Sequence, residues 1–294
     1  MGGGNIASCR RSLSRMSFLF TLKRHFQRRL PRPLQRKLQQ TIYVVLYRLS
    51  PARHQNFFNS GYAPVSEWLK TCPPFDREPL QATLYDRVLD GWADASGASP
   101  RSILDIGCGL GGGMRVAAHR FPGSSIVGLD VNATAAQVAR RRLRELDGAR
   151  VEIGNALSQP FEDGRFDLVF SVGAAGYVGL KPFMKEATRV LAPGGVLSFS
   201  TGYTDAGFEE HRLMVQAEAG KLGLELVEVT DITANVFAAI DADVPRRRAL
   251  IDRVPWPFRG YALAWADMPG SMRYQEYVDG RRLDYLVVCR KPEA

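Results

Sequence analysis

The chain has 294 residues, 45% of them hydrophobic, so it can bury a sizeable core; one large domain with appendages is expected and wholesale disorder is excluded. Its four cysteines, Cys9, Cys72, Cys108 and Cys289, form neither a C-x-x-C pair nor a dense framework, which excludes a zinc ribbon or a disulfide scaffold and fits a reducing compartment; no metal site is expected. The formal charge of +9 is unevenly placed, because residues 1–66 carry twelve Arg and Lys and no acid, whereas the rest of the chain has 27 basic residues against 30 acidic.

Within that basic arm, Leu30, Leu34, Leu38, Ile42 and Leu46 recur every fourth residue with arginines and glutamines between them, the pattern of an amphipathic helix with a basic face. Its longest apolar run, residues 42–46, falls far short of the roughly 20 residues that span a bilayer. The arm reads as a helix docked on the body, as an anchor on a membrane surface of a cytoplasmic protein, or, from Ser12, Ser14 and Ser17 among the arginines, as an organellar targeting segment. Phosphate contacts to nucleic acid are a further, less favoured use.

After the arm, Pro64 and Thr71-Cys72-Pro73-Pro74 predict a linker or loop. Leu80, Leu84, Val88 and Trp92 then mark a helical stripe ended by Gly91, Gly97 and Pro100. From residue 102 short apolar runs alternate with helical segments, the signature of βαβ units and a parallel sheet. Strands are predicted at 102–106, 125–130, 150–153, 166–171, 195–200, 223–229 and 283–289. Asn132 suits a helix N-cap, and Phe183, Met184, Ala187, Val190 and Leu191 form a buried helical stripe stopped by Pro193-Gly194-Gly195.

Chemistry concentrates in the first strand-to-helix turn. Gly107, Gly109 and Gly112 satisfy G-x-G-x-x-G, which by itself suits a dinucleotide as well as other nucleoside cofactors, because glycine lets the chain turn tightly and its N–H groups approach a ligand. Asp105, two residues earlier, discriminates. A fixed carboxylate there repels a pyrophosphate and attracts the ammonium of a methionyl group, so the sign favours S-adenosylmethionine. Asp130 closes the second apolar strand, where a carboxylate can accept both ribose hydroxyls. Asn155, ending the third, can accept a hydrogen bond from an adenine amino group.

Taken in order, Asp105-Ile106-Gly107-Cys108-Gly109, Asp130, Gly154-Asn155-Ala156, Phe166-Asp167-Leu168-Val169 and Arg189-Val190-Leu191-Ala192-Pro193-Gly194-Gly195 resemble the successive motifs of class I S-adenosylmethionine-dependent methyltransferases over residues 80–200. The resemblance implies a Rossmann-like α/β fold, a seven-stranded, mostly parallel sheet whose last strand is antiparallel; the charge pattern sets a helical arm (1–66) before the 67–294 domain, and the long stretch between strands six and seven reads as a lid-like insertion at 233–271. The resemblance also implies S-adenosylmethionine as cofactor, held by Tyr85, Asp105, Gly107, Cys108, Gly109, Gly111, Asp130, Val131, Asn155, Ala156 and Ser171. A looser similarity over residues 57–294, carried by Phe57-Phe58-Asn59, Leu84-Tyr85, Gly111-Gly112-Gly113, Tyr274 to Gly280 and Tyr285 to Lys291, points to the phthiotriolone and phenolphthiotriolone dimycocerosate methyltransferases. That neighbourhood implies a hydrophobic small-molecule acceptor, a polyketide, phenol or lipid, methylated on oxygen.

Two positions depart from the pattern. Asn155 stands where the family usually has Asp, which removes a charge-assisted hydrogen bond to adenine. Gly173-Ala174-Ala175-Gly176-Tyr177 lacks the histidine that the lipid enzymes carry after strand four. Tyr177 and His211 are the remaining candidates for proton removal, His211 otherwise reading as an exposed helical residue. No Asn-Pro-Pro or Asp-Pro-Pro follows strand four, which argues against a nucleic-acid amino-methyltransferase. A C- or N-methyltransferase and a non-catalytic binding module are the alternatives. In the insertion, Pro255-Trp256-Pro257-Phe258, Tyr261 and Trp265 either close over an apolar substrate or pack the insert down.

Overall fold

The computed structural model describes residues 55–95, 99–205, 207–254, 259–260, 262–263 and 266–293. The predicted arm helix and the aromatics Trp256, Phe258, Tyr261 and Trp265 lie outside them. In chain order the elements are α1 (Glu67–Thr71), α2 (Pro79–Ala95), β1 (Ser102–Ile106), α3 (Gly112–Arg120), β2 (Ser125–Asp130), α4 (Ala133–Arg142), β3 (Ala149–Ile153), β4 (Phe166–Val172), α5 (Ala174–Val178), α6 (Leu180–Val190), β5 (Leu191–Thr204), α7 (Phe208–Lys221), β6 (Glu225–Asp231), α8 (Thr233–Ala242), α9 (Val244–Ile251), α10 (Met272–Val278) and β7 (Arg282–Arg290).

Gln55–Asp243 with Glu276–Ala294 form one compact unit. Its sheet has the order β3-β2-β1-β4-β5-β7-β6; β1 to β5 are parallel, and β7 runs antiparallel to both β5 and β6. This is the Rossmann-like architecture expected, with the carboxyl ends of β1 to β5 on one edge. Between β1 and β4 the strand order reverses, the place where such sheets bind ligands. The sheet is built from near-continuous apolar runs because helices cover both faces: Leu104, Val127, Val169, Leu197 and Val287 are all buried. The α6 stripe of Phe183, Met184, Ala187 and Val190 is buried against this core, and Asn132 caps α4 by accepting from the N–H groups of Thr134 and Ala135.

Four expectations need correction. Gly91 does not end the α2 stripe; the helix runs through it, because a Cβ there would sit 2.7 Å from Val288 Cγ2 and 2.8 Å from Ser198 Oγ. Strand five begins at Leu191, not 195: Pro193-Gly194-Gly195 lie inside β5, in a stretch where its register on β4 shifts between Phe166 and Leu168. Thr71 closes a short helix and is followed by a turn and a 3₁₀ turn at Phe75–Arg77, not by a plain linker. Residues 55–66, placed with the arm by their lack of acids, belong to the compact unit: Tyr62 N donates to Leu80 O, Asn59 Nδ2 to Gln81 O and Asn56 N to Glu78 Oε2 (2.6 Å).

The described part of a second compact unit is residues 244–254, 259–260, 262–263 and 266–275. Ile251, Ala262 and Met268 form its small core, and Arg247 donates to Ala266 O. The predicted insertion is therefore divided, since α8 belongs to the sheet-bearing unit. No helix among the described residues is long and apolar enough to cross a membrane.

Candidate active site

The turn after β1 is pinned from beneath. Leu129 O accepts from both Gly107 N (2.8 Å) and Cys108 N (3.1 Å), so the loop folds back over β2. Gly107, Gly109 and Gly111 have φ of +81°, +53° and +84°, the left-handed region in which a side chain is strained. Gly113, in the first turn of α3, is required for a different reason: a Cβ would lie 2.3 Å from Tyr85 Cε1 and 2.8 Å from Asp105 Oδ2.

Asp105 is fully buried, and neither of its oxygens has a hydrogen-bond donor among the described residues. Burial first, and then the charge of Asp130, push its carboxyl well above the usual carboxylate range. A buried, unsatisfied carboxylate is costly, so its retention at the mouth of a glycine turn marks a cationic ligand as its missing partner. Tyr85, buried beside it, stacks edge-on against Phe170 (6.2 Å) and tilted against Phe57 (5.6 Å). Phe57 and the carbonyl of Asn56 also lie where a Cβ on Gly112 would stand, 2.6 and 2.5 Å away, so this segment packs directly on the start of α3.

Asp130 holds the loop from the second strand. Its Oδ2 accepts from Gly109 N and its Oδ1 from Asn132 N, both at 2.8 Å. Each oxygen keeps lone-pair capacity for a diol. Burial raises its carboxyl, against the lowering effect of those two bonds. Beyond it, Val131 is 58% exposed and Ile153, paired with Asp130 across the strands, 44%; two bare apolar side chains at neighbouring strand tips offer a flat surface to an aromatic base. Asn155 is exposed, with Oδ1 accepting from Leu157 N (3.0 Å), and Ala156 is half-buried against the core.

Two of the expected cofactor residues are placed behind the turn. Ser171 is fully buried, its Oγ donating to Ile106 O (2.7 Å), so it braces the end of β1. Cys108 is buried with its thiol pushed well up by burial and by Asp105 and Asp130; its side chain and Met114 fill the space that Gly128 leaves free. Two motif residues outside the site have plain structural work. Asp167 Oδ2 accepts from Arg101 N and Ser102 N at the start of β1, and Arg189 ties Glu186, Asp163 and the carbonyls of Gln159 and Phe161 together.

The two candidate bases are dissimilar. Tyr177, in α5, is 61% exposed at the carboxyl edge. His211 is not an exposed helical histidine. It is buried in the first turn of α7, its ring 4.3 Å from that of Tyr203 and 5.5 Å from that of Tyr285, with Nδ1 3.4 Å from Tyr285 Oη. Burial lowers its pKa, against a smaller opposing effect of Glu210, which favours the neutral imidazole. A second polar cluster was missed from the sequence. Tyr277 Oη donates to Asp284 Oδ2 (2.5 Å), Arg282 pairs with the same oxygen at 3.5 Å, and both side chains of the pair crowd Gly202 of β5. Asp284 and Gly202 are cross-strand partners, so nothing local in the chain announces the group. Among the described residues no cluster of three His, Cys, Asp or Glu is placed to hold a metal ion.

Comparison with known proteins agrees with this geometry. A methyltransferase domain family matches residues 103–195. The chain is 31% identical over 192 residues to a phthiotriol/phenolphthiotriol dimycocerosates methyltransferase of Mycobacterium ulcerans, covering 65% of this chain and 68% of that one. It is 28% identical over 262 residues to a fatty-acid O-methyltransferase of Mycolicibacterium smegmatis, covering 86% and 90%. Among solved structures, geranyl diphosphate C-methyltransferase of Streptomyces coelicolor A3(2) shares the fold, with a TM-score of 0.62 at 21% identity over 86% of this chain and 97% of that one. The chain belongs to the class I S-adenosylmethionine-dependent methyltransferases. It is an enzyme of that class.

Proposed function

We propose that this enzyme moves the methyl group of S-adenosylmethionine to an oxygen of a hydrophobic, lipid-like acceptor. The observation that carries the proposal is the likeness to a fatty-acid O-methyltransferase over 86% of the chain, which extends beyond the cofactor motifs into the acceptor half. The residues of the glycine turn fit the cofactor. The orphaned Asp105 supplies the anion for its α-ammonium, Gly107, Gly109 and Gly111 the close backbone approach, Asp130 the acceptor for its ribose, and Val131, Asn155 and Ala156 the surface for adenine. Tyr85 walls the methionyl end, while Cys108, packed with Met114 over Gly128, and Ser171, through Ile106, support the turn from behind.

The cofactor brings an electrophilic methyl carbon on a positive sulfur. What remains for the protein is to align an oxygen with that carbon, keep water away and, for an un-ionised acceptor, remove a proton. Tyr177 and His211 are the residues proposed for proton removal. We further read the basic arm that precedes residue 55 as an anchor to an anionic membrane surface, where apolar acceptors reside.

The test is incubation of the full-length protein with trideuteromethyl S-adenosylmethionine and a total lipid extract. Label recovered as a methoxy or methyl-ester group in the organic phase supports the reading. Label on carbon or nitrogen, or only in RNA, overturns it.

A further inference from the structure

We propose that Asp284 is a further catalytic residue beside Tyr177 and His211: the carboxylate that takes the proton of an aliphatic hydroxyl acceptor, positioned by Tyr277 and Arg282. The inference rests on the O-methylation reading and gives it a substrate class: un-ionised alcohols, in addition to acids or phenols that ionise unaided.

The register of the sheet puts Asp284 on the face that carries the cofactor acid. Asp105 pairs with Phe170 of β4, and Phe170 with Ser198 of β5. Side chains alternate along a strand, so Gly202, four residues past Ser198, lies on the same face, and so does its cross-strand partner Asp284. Tyr85 packs on that face, against Phe170. β4 ends at Val172, opposite Ser200, whereas β5 runs on to Thr204 beside the start of β7. Gly202 and Asp284 therefore stand beyond the tip of β4, at the carboxyl edge of the parallel strands.

Residues from several elements build the group. Tyr277 of α10 donates from Oη to Asp284 Oδ2 (2.5 Å), and Arg282 Nε lies 3.5 Å from the same oxygen. Phe237 of α8 stacks on the Tyr277 ring, centroids 5.3 Å apart and 8° from parallel, which holds that hydroxyl in place. Asp284 N donates to Thr233 Oγ1 at the start of α8 (2.9 Å), so the backbone behind the carboxylate is held as well. Two other acids come from the packed elements: Glu276 of α10, whose Oε2 accepts from Thr204 Oγ1, and Asp231 at the end of β6, whose Oδ1 accepts from Thr233 N. On the β5 side, a Cβ on Gly202 would stand 2.2 Å from Asp284 Oδ1 and 2.4 Å from Arg282 Nη2, so the glycine is what admits the two charged groups.

Fastening α10 to β7 needs only the Tyr277 hydroxyl and an acceptor of any kind. Arg282 and Asp284 are two apart on one strand, so their pairing joins no two elements. What the arrangement adds is a carboxylate at the carboxyl edge, 14% exposed, with a phenol and a guanidinium on one oxygen. Such donors favour the charged form of a carboxylate, the form that can receive a proton. The acceptor O–H gives its proton to Asp284 Oδ1 while the oxygen's electron pair forms the new C–O bond and the C–S pair returns to sulfur. A positive and a negative charge disappear together, and Asp284 later releases the proton to solvent.

Two probes of equal chain length separate this role from a structural one: 1-octanol, whose proton must be removed, and octanoic acid, which ionises readily. Initial rates with the full-length protein are measured for wild type, Asp284→Asn and Tyr277→Phe. General-base assistance contributes typically ~10²–10⁴-fold, so the octanol-to-octanoate rate ratio falls about 100-fold or more in Asp284→Asn. An unchanged ratio overturns the proposal whether or not absolute rates fall, because loss of folded protein lowers both rates alike. Wild type that methylates octanoate and not octanol also overturns it. In Tyr277→Phe the acid limb of kcat/KM for octanol moves to higher pH, because a hydrogen bond to the ionised carboxylate is lost. A limb that stays in place overturns the positioning role of Tyr277. Titration calorimetry of the protein saturated with S-adenosylhomocysteine supplies a readout without turnover. Asp284→Asn binds octanol about 5- to 10-fold more weakly than wild type and 1-methoxyoctane equally well, because only the alcohol donates to the carboxylate. Equal effects on the two ligands overturn the proposal. If neither octanol nor octanoate is methylated, the O-methylation reading fails and the calorimetry alone decides whether Asp284 receives a hydroxyl.

Discussion

Replacing Asp105 by Asn separates the cost of the cofactor site from its use. In the free protein the carboxylate is fully buried and without a donor at either oxygen. Removing its charge relieves a desolvation penalty of about 1–3 kcal/mol, so the ligand-free variant melts roughly 2–10 °C higher. With the methionyl ammonium as partner the sign reverses: a charge-assisted hydrogen bond worth about 1.5–3 kcal/mol is lost, and S-adenosylhomocysteine binds roughly 10- to 150-fold more weakly. The folded carboxyl lies above its ordinary value of 3.8, so in the window between the two the native state holds the extra proton. The group's contribution to stability is therefore present at low pH and lost as pH rises through the raised value. The melting gap between variant and wild type widens in the same direction. Differential scanning calorimetry from pH 4 to 9 and titration calorimetry with S-adenosylhomocysteine read both effects. A variant that melts lower at every pH and binds with unchanged affinity refutes the reasoning.

Other outcomes follow from the same geometry. Gly113→Ala places a Cβ 2.3 Å from Tyr85 Cε1 and costs about 1–3 kcal/mol of stability in chemical denaturation, together with weaker cofactor binding, because Tyr85 must leave Asp105. Asn155→Asp restores a charged acceptor at an exposed position and tightens S-adenosylhomocysteine binding several-fold in titration calorimetry, a gain absent with a ligand lacking the adenine amino group. Cys108 and Cys289 stay unmodified when the native protein is treated with a thiol reagent and are revealed by mass mapping only after denaturation. Both are buried, with the Cys289 thiol pushed up to about 12 by burial.

The cofactor half of the site was legible because its residues are consecutive. A strand, an acid, three glycines and a helix sit within residues 102–120, Asp130 ends the next strand and Asn155 follows two residues after the third. The strand positions followed from apolar runs, because a sheet covered on both faces leaves no other place for them. Gly91 misled because glycine in a helix reads as a stop, whereas here it admits β5 and β7 side chains. Pro193-Gly194-Gly195 misled because a bulged strand start looks like a turn.

The contacts between β5, β7 and α7 were not legible for a different reason. Tyr203 and Tyr285, or Gly202 and Asp284, are more than 80 positions apart and meet only through the antiparallel insertion of β7. His211 read as exposed because acids flank it, although the helix turns it inward onto the two tyrosines. Residues 55–66 shared the arm's lack of acids while carrying Phe57, the ring that packs against Tyr85 and Gly112.

The central claim is that Asp105, placed before the glycines, selects a cationic methionyl nucleoside over a dinucleotide. Titration calorimetry of the wild-type protein with S-adenosylmethionine and, separately, with NAD tests it most directly. The account predicts saturable binding of one S-adenosylmethionine per chain and no heat from NAD. Saturation by NAD with S-adenosylmethionine silent at millimolar concentration contradicts it.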